Sequence, residues 1–130
     1  MIVVDTSAVI AALAGRPSPE GLVERLRADG DLHAPHLIDI EVLHALRGLV
    51  ERRELTGDSA QDVRSDFADL RITRYPHEPL ADRIWALRKN VTAYDAAFVA
   101  LGEALAVPLV TCDGRLARAP GLEVRLEVFG

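Results

Sequence analysis

The chain has 130 residues, of which 49% are hydrophobic and 27% are charged, and its net charge at pH 7 is −5. This length and composition are typical of one globular domain with its own core, so we expect residues 1–130 to form a single domain. The acidic balance argues against a protein that coats nucleic acid through a broad basic surface. It leaves room for an enzyme that contacts a few phosphates through a metal ion.

Cys112 is the only cysteine, so the chain can form no internal disulfide, and nothing in it suggests secretion. The first residues lack the basic and apolar regions of a secretion signal. No apolar run reaches the roughly 18 residues that a membrane-spanning helix needs. We therefore expect a cytoplasmic protein without a membrane segment.

The first part of the chain alternates a short apolar run with segments of helical character. Ile2–Val4 is rich in β-branched residues and predicts a strand, followed by a helix that begins near Ser7. A second helix is predicted within residues 18–30. Its expected N-cap is Ser18, and Gly30 is expected to end it.

The middle of the chain repeats this alternation. A weak strand is predicted at 32–34, followed by a third helix within 36–55. The apolar residues of that helix recur at the spacing of one face: Val42, Ala45, Leu46 and Leu49. A fourth helix is predicted within 58–70, with Asp58 or Ser59 as its N-cap, and a strand follows at Ile72–Tyr75.

The last part adds two helices and two strands. The fifth helix is predicted within 79–90, and the sixth, within 94–105, is dense in alanine and leucine and should be the most buried. Strands follow at 107–111 and near 124–128. Short strands that alternate with longer helices predict an α/β fold whose mainly parallel sheet is covered on both faces.

Four acidic residues fall at the ends of these predicted elements. Asp5 follows the first strand, Asp113 follows the fourth, Asp95 begins the sixth helix, and Glu41 lies in the early turns of the third. Ligand sites of parallel sheets form beyond the carboxyl ends of the strands, where a fold can bring such residues together. Clustered carboxylates repel one another unless a cation is present, and Mg²⁺ and Mn²⁺ prefer oxygen ligands.

Each of these acids also has a purely structural interpretation. Asp5 and Asp95 are suited to cap helices, Asp113 and the glycine after it form a common turn dipeptide, and Glu41 fits a solvated helix position. The four histidines show no zinc-ligand spacing, and no glycine-rich loop matches a nucleotide-binding fingerprint.

Two other functions place acids at the ends of parallel strands. A phosphoacceptor receiver domain carries an adjacent acidic pair after its first strand, and a haloacid-dehalogenase-like phosphatase carries an aspartate two positions after the first. Here Thr6 and Ser7 occupy those positions after Asp5, which disfavours both functions. The receiver-like regulatory domain is the alternative that we keep.

Four segments together resemble the PIN-domain ribonucleases, specifically the VapC-type toxins of toxin–antitoxin pairs. They are MIVVDTSAVIAAL, APHLIDIEVLHALR, YDAAFVALGEAL and PLVTCDGRLA. The similarity runs in order from Met1 to about Ala119. It implies a three-layer α/β/α PIN fold and an endoribonuclease in which a metal-activated water attacks an RNA phosphodiester bond.

The resemblance also implies roles for individual residues and for partners. It assigns the catalytic set to four acids: Asp5, Glu41, Asp95 and Asp113. Of these, Asp5 and Asp95 are expected to bind Mg²⁺ directly, with Mn²⁺ as an alternative ion. Three more residues are expected to contact the substrate or these acids: Thr6, Thr111 and Arg115. The implied partners are RNA, a cognate VapB-type antitoxin and a second copy of the chain in a homodimer.

Overall fold

The computed structural model describes residues 1–130, which form a five-stranded sheet flanked by helices. The strands are β1 (Ile2–Val4), β2 (Leu32–Pro35), β3 (Ile72–Tyr75), β4 (Leu109–Thr111) and β5 (Leu126–Val128). The helices are α1 (Thr6–Ala14), α2 (Leu22–Asp29), α3 (Leu37–Glu51), α4 (Gly57–Asp69), α5 (Ala81–Ala86), α6 (Ala93–Leu105) and α7 (Gly114–Arg118), and a 3-10 turn at Glu78–Leu80 precedes α5.

The sheet is parallel throughout and has the strand order β3-β2-β1-β4-β5. The first strand of the chain is therefore the central one, with Val3 in register with His33 of β2 on one side and Leu109 of β4 on the other. The expected α/β class and parallel sheet are confirmed. The chain order reverses between β1 and β4, which is where doubly wound sheets bind their ligands.

The core forms around β1 and α6. The three residues of β1 are fully buried, because this short strand is flanked by strands and covered by helices. In α6 every residue from Ala96 to Gly102 is buried, as its alanine-rich sequence predicts. A Cβ at Gly102 would lie 2.6 Å from a methyl carbon of Val124, so the residue allows the chain that leads to β5 to approach α6.

Two helix starts differ from the sequence prediction. Ser18 does not cap α2; its hydroxyl instead donates a hydrogen bond to the carbonyl of Ala12 in α1, at 3.3 Å. The helix begins four residues later, at Leu22, after Gly21 adopts a left-handed conformation with φ of 82°. The predicted end is confirmed, since Gly30 has φ of 66° and closes the helix through its N–H.

The fourth helix also begins differently from its prediction. The hydroxyl of Thr56 accepts a hydrogen bond from the N–H of Ser59 at 3.0 Å, so Thr56 caps α4 and the predicted caps Asp58 and Ser59 are wrong. Thr56 lies within hydrogen-bonding reach of the first free N–H groups, which is the requirement for a cap.

None of the helices combines the length and the apolar character that crossing a membrane requires.

Candidate active site

Asp5 joins β1 to α1 and has both carboxylate oxygens engaged by the protein. It is 8% exposed. Its Oδ1 accepts hydrogen bonds from the Ser7 hydroxyl at 2.6 Å and the Ala8 N–H at 2.9 Å, and Oδ2 accepts one from the Thr111 hydroxyl. A carboxylate oxygen has two lone-pair sites, so Oδ1 is filled and Oδ2 keeps one. Asp5 caps α1 and still presents a free acceptor.

The two hydroxyls that contact Asp5 are themselves held by the loop after β4. Ser7 Oγ accepts a hydrogen bond from the Cys112 N–H at 2.9 Å, and Thr111 Oγ1 accepts one from the Asp113 N–H at 3.0 Å. Each hydroxyl has one proton, which it gives to Asp5. These bonds tie the carboxyl ends of β1 and β4 together at the reversal point of the sheet.

Glu41 reaches the same edge of the sheet from the second turn of α3. The start of that helix is fixed by His77, whose Nε2 accepts a hydrogen bond from the Leu37 N–H at 2.9 Å. The Thr6 hydroxyl donates to Glu41 Oε1 at 2.7 Å. The first residue of α1 thus orients the carboxylate of α3 and leaves Oε2 without a partner among the side chains.

Asp95 and Asp113 complete the group from two further helix starts. Thr92 caps α6 by accepting a hydrogen bond from the Asp95 N–H at 3.2 Å, so the Asp95 carboxylate is not the cap. Asp113 does cap α7, accepting from the Arg115 N–H at 2.9 Å. The Arg115 guanidinium also donates to both Asp113 oxygens, at 3.2 and 3.1 Å.

All four predicted acids line one cavity of about 260 Å³, which we call the acidic cavity. Its lining residues are Asp5, Thr6, Ser7, Glu41, His44, Ala45, Asp95, Phe98 and Asp113. No lysine or arginine is among them. Asp113 is the only one of the four acids that forms an ion pair with a cationic side chain. The cavity therefore gathers negative charge that the protein itself barely neutralises.

Burial is the main cause of the electrostatic perturbation in this cavity. It raises the pKa of Asp5, Glu41 and Asp95 above their ordinary values. Like charges add to the effect, since Asp95 acts on Asp5 and Glu41, and Asp113 acts on Asp95. The exception is Asp113, whose pKa is held below its ordinary value by hydrogen bonds from Arg115.

The donor set fits a hard divalent cation in its chemistry. The charged groups that face the acidic cavity are carboxylates, which Mg²⁺ and Mn²⁺ favour over nitrogen or sulfur ligands. No group of three or more histidine, cysteine, aspartate or glutamate side chains is assembled in a geometry that could hold an ion. This arrangement suits Mg²⁺, which is usually bound through one or two carboxylates and keeps several waters.

Sequence reasoning missed two residues of this cavity. Ser7 was dismissed as a nucleophile, yet its position two residues after Asp5 places its hydroxyl on the carboxylate. His44 was considered only as a zinc ligand, yet it lies three residues after Glu41 and so shares its helix face. Both spacings were available in the sequence.

Three comparisons with known proteins give the same result. Residues 2–122 match the PIN domain. The chain is 45% identical to ribonuclease VapC1 of Mycobacterium tuberculosis over 127 residues, covering 97% of this chain and 96% of that protein. It is 38% identical to ribonuclease VapC12 of the same organism over 128 residues, covering 98% of each.

A solved structure shares the fold at much lower sequence identity. The crystal structure of VapBC2 from Rickettsia felis, bound to a DNA fragment from its promoter, superposes with a TM-score of 0.73 at 14% identity and covers 100% of both chains. With the sequence match spanning residues 2–122 and the VapC relatives covering nearly the whole chain, the protein belongs to the PIN domain family, in its VapC group.

Proposed function

We propose that this chain is the ribonuclease toxin of a toxin–antitoxin pair, and that all 130 residues act as one PIN domain. The observation that carries the proposal is the acidic cavity, where four carboxylates from four different elements meet at the reversal point of a parallel sheet. Relatives that cover nearly the whole chain are named ribonucleases, which supports RNA as the substrate. RNA and a toxin acting on it would meet in the cytoplasm.

We further propose that a Mg²⁺ or Mn²⁺ ion binds through Asp5 and Asp95, with waters as the remaining ligands. Asp5 offers the free lone pair on Oδ2, while Ser7 and Thr111 fix the orientation of the carboxylate. When bound, such an ion offsets charge on the scissile phosphate and lowers the pKa of a water. Glu41, with Oε1 held by Thr6, offers Oε2 to accept a proton or orient a water.

The partners follow from charge and from exposed apolar surface. An acidic cavity suits a basic side chain of a VapB-type antitoxin, because complementary charge favours the encounter. For a homodimer, the supporting feature is a set of large apolar side chains that are unusually exposed: Ile40 and Leu43 on α3 and Trp85 on α5.

The test is cleavage of RNA by the purified, antitoxin-free chain in Mg²⁺ or Mn²⁺, compared with EDTA. We expect products with 3′-hydroxyl and 5′-phosphate ends, and no products in EDTA or with Asp5→Asn. Arg64→Gln is a matched control, because Arg64 is exposed on α4 and lines neither the acidic cavity nor its neighbour. Cleavage that survives both EDTA and Asp5→Asn would contradict the metal mechanism.

The receiver-like alternative is disfavoured by topology as well as by sequence. Receiver domains have the strand order 2-1-3-4-5, whereas this sheet has the order β3-β2-β1-β4-β5. Stoichiometric labelling by a small phosphodonor, with no nuclease activity, would favour the alternative.

A further inference from the structure

A second cavity lies directly beside the acidic one. It has a volume of about 430 Å³ and shares Asp95 and Asp113 with the acidic cavity as lining residues. Its remaining charged residues are all cationic: Arg88, Lys89 and Arg115. We call it the basic cavity. Two carboxylates thus separate a site that gathers negative charge from one that gathers positive charge.

The three cations of the basic cavity are held differently. Arg115 is paired with Asp113 and so is already committed to a carboxylate. Arg88 lies over the ring of Trp85, 4.6 Å from its centre, and donates to the Trp85 carbonyl at 3.0 Å. These contacts fix the guanidinium near the cavity without neutralising its charge.

Lys89 is the most available of the three. It is the only lysine in the chain. It is exposed, and no carboxylate lies within ion-pair distance of its amino group. In a chain with a net charge of −5, a neighbouring pair of unneutralised cations beside the reaction site makes a local attraction for an anion.

An RNA strand needs such an attraction at this place. A phosphate that enters the acidic cavity meets four carboxylates, and the phosphates on either side of it are repelled by the same charges. Cations that contact a flanking phosphate offset that repulsion and fix the register of the strand. The shared lining of the two cavities means that a strand can continue from one into the other without a gap.

We propose that the basic cavity binds a phosphate next to the cleaved one, with Lys89 and Arg88 as the contacting residues. The proposal rests on the ribonuclease function, since it assigns the path of that substrate. Lys89 contributes to binding and positioning of RNA, while the acids of the neighbouring cavity act on the bond that is cut.

The first test measures RNA affinity without catalysis. A short fluorescent single-stranded RNA of mixed sequence is titrated in EDTA against wild type, Lys89→Gln, Arg88→Gln and the control Arg64→Gln across a range of salt concentrations. Loss of one phosphate contact lowers the slope of log affinity against log salt by about 0.7 and weakens binding roughly threefold to tenfold at low salt. We expect this for Lys89→Gln and Arg88→Gln and no change for Arg64→Gln. In cleavage assays the first two variants should raise KM with kcat retained.

The second test uses the single lysine of the chain. An amine-reactive acylating reagent followed by mass spectrometry of peptides reports on Lys89 directly, and we expect RNA to slow its modification in EDTA. A polyglutamate peptide serves as the comparison. Protection by polyglutamate but not by RNA would overturn the proposal in favour of an acidic protein segment.

The two proposals fail separately. If wild type cleaves RNA while Lys89→Gln matches Arg64→Gln in salt slope and KM, the basic cavity is not the RNA path and the ribonuclease function stands. If wild type cleaves no RNA in Mg²⁺ or Mn²⁺, the proposed function fails. The RNA-path proposal fails with it, whatever the binding and protection measurements show.

Discussion

The hydroxyl of Ser7 is the sharpest point at which to test the architecture of the acidic cavity. It donates to Asp5 at 2.6 Å and accepts from the Cys112 N–H at 2.9 Å. Ser7→Ala removes one of three donors to the carboxylate and also leaves a backbone N–H after β4 without its acceptor. Nothing else in the fold changes, because the Cβ and the helix position are kept.

The expected loss of stability follows from those two bonds. A hydrogen bond to a charged group contributes about 1.5–3 kcal/mol, and an unsatisfied N–H costs about 1–3 kcal/mol. Alanine in a helix is better than serine by about 0.5 kcal/mol, and the two bonds share an atom, so their losses do not add fully. We expect the free energy of unfolding to fall by about 2–4 kcal/mol. We expect RNA cleavage to fall roughly tenfold to a hundredfold, as when a partner that orients a metal ligand is removed.

Urea unfolding in EDTA measures the first quantity, and initial cleavage rates in Mg²⁺ measure the second. Ser59→Ala is the matched control, because that exposed serine on α4 makes no side-chain hydrogen bond to the protein, and we expect a change within about 0.5 kcal/mol. A Ser7→Ala variant as stable and as active as the Ser59→Ala variant would refute the idea that this hydroxyl holds Asp5.

Three other outcomes follow from the charges. Asp95→Asn should raise the melting temperature in EDTA, because it removes a half-buried charge that repels Asp113 and Asp5, and should abolish cleavage; a lower melting temperature would contradict the repulsion. Since the folded-state pKa of Asp5 is raised, its ionisation lowers metal-free stability as pH rises above about 4. The stability of Asp5→Asn relative to wild type, from urea unfolding in EDTA, should therefore grow with pH, and a constant difference would count against it. Glu103→Gln breaks the Arg83 pair, with contacts at 2.6 and 3.2 Å, and should lower the free energy of unfolding by about 1–2 kcal/mol in urea with cleavage unchanged; lost cleavage would show that this pair also supports the site.

The positions of the acids were predictable because they depend on short-range patterns. The apolar run of β1 ends where a charged residue begins, which puts Asp5 at a strand end, and helical periodicity puts Glu41 in an early turn of α3. A parallel sheet then brings the carboxyl ends of its strands to one edge. No further knowledge is needed to expect the acids on the same side of the molecule.

The hydrogen bonds that orient the acids were not predictable in the same way. The bond between Thr111 and Asp5 joins residues 106 positions apart, and the bond between Thr6 and Glu41 joins residues 35 apart. Such contacts depend on strand register and helix placement, which local patterns leave open. The resemblance to a known family suggested that the two threonines contact carboxylates, but not which ones.

Helix starts were uncertain for a different reason. Thr56, Asp58 and Ser59 lie within four positions and all belong to residue types that cap helices. Composition cannot choose among them, and the choice of Thr56 is made by where the backbone turns after Leu55, which packs on the core.

The central position of β1 has a consequence for a chain that is still being synthesised. This strand leaves the ribosome first, yet its neighbour β4 and the residues Thr111 and Asp113 come close to the end of the 130 residues. Until they emerge, Asp5 lacks the hydroxyl that holds Oδ2 and the cavity lacks its fourth acid. The order of strands in the sheet thus delays an RNA-cutting activity until translation of its own message is nearly complete.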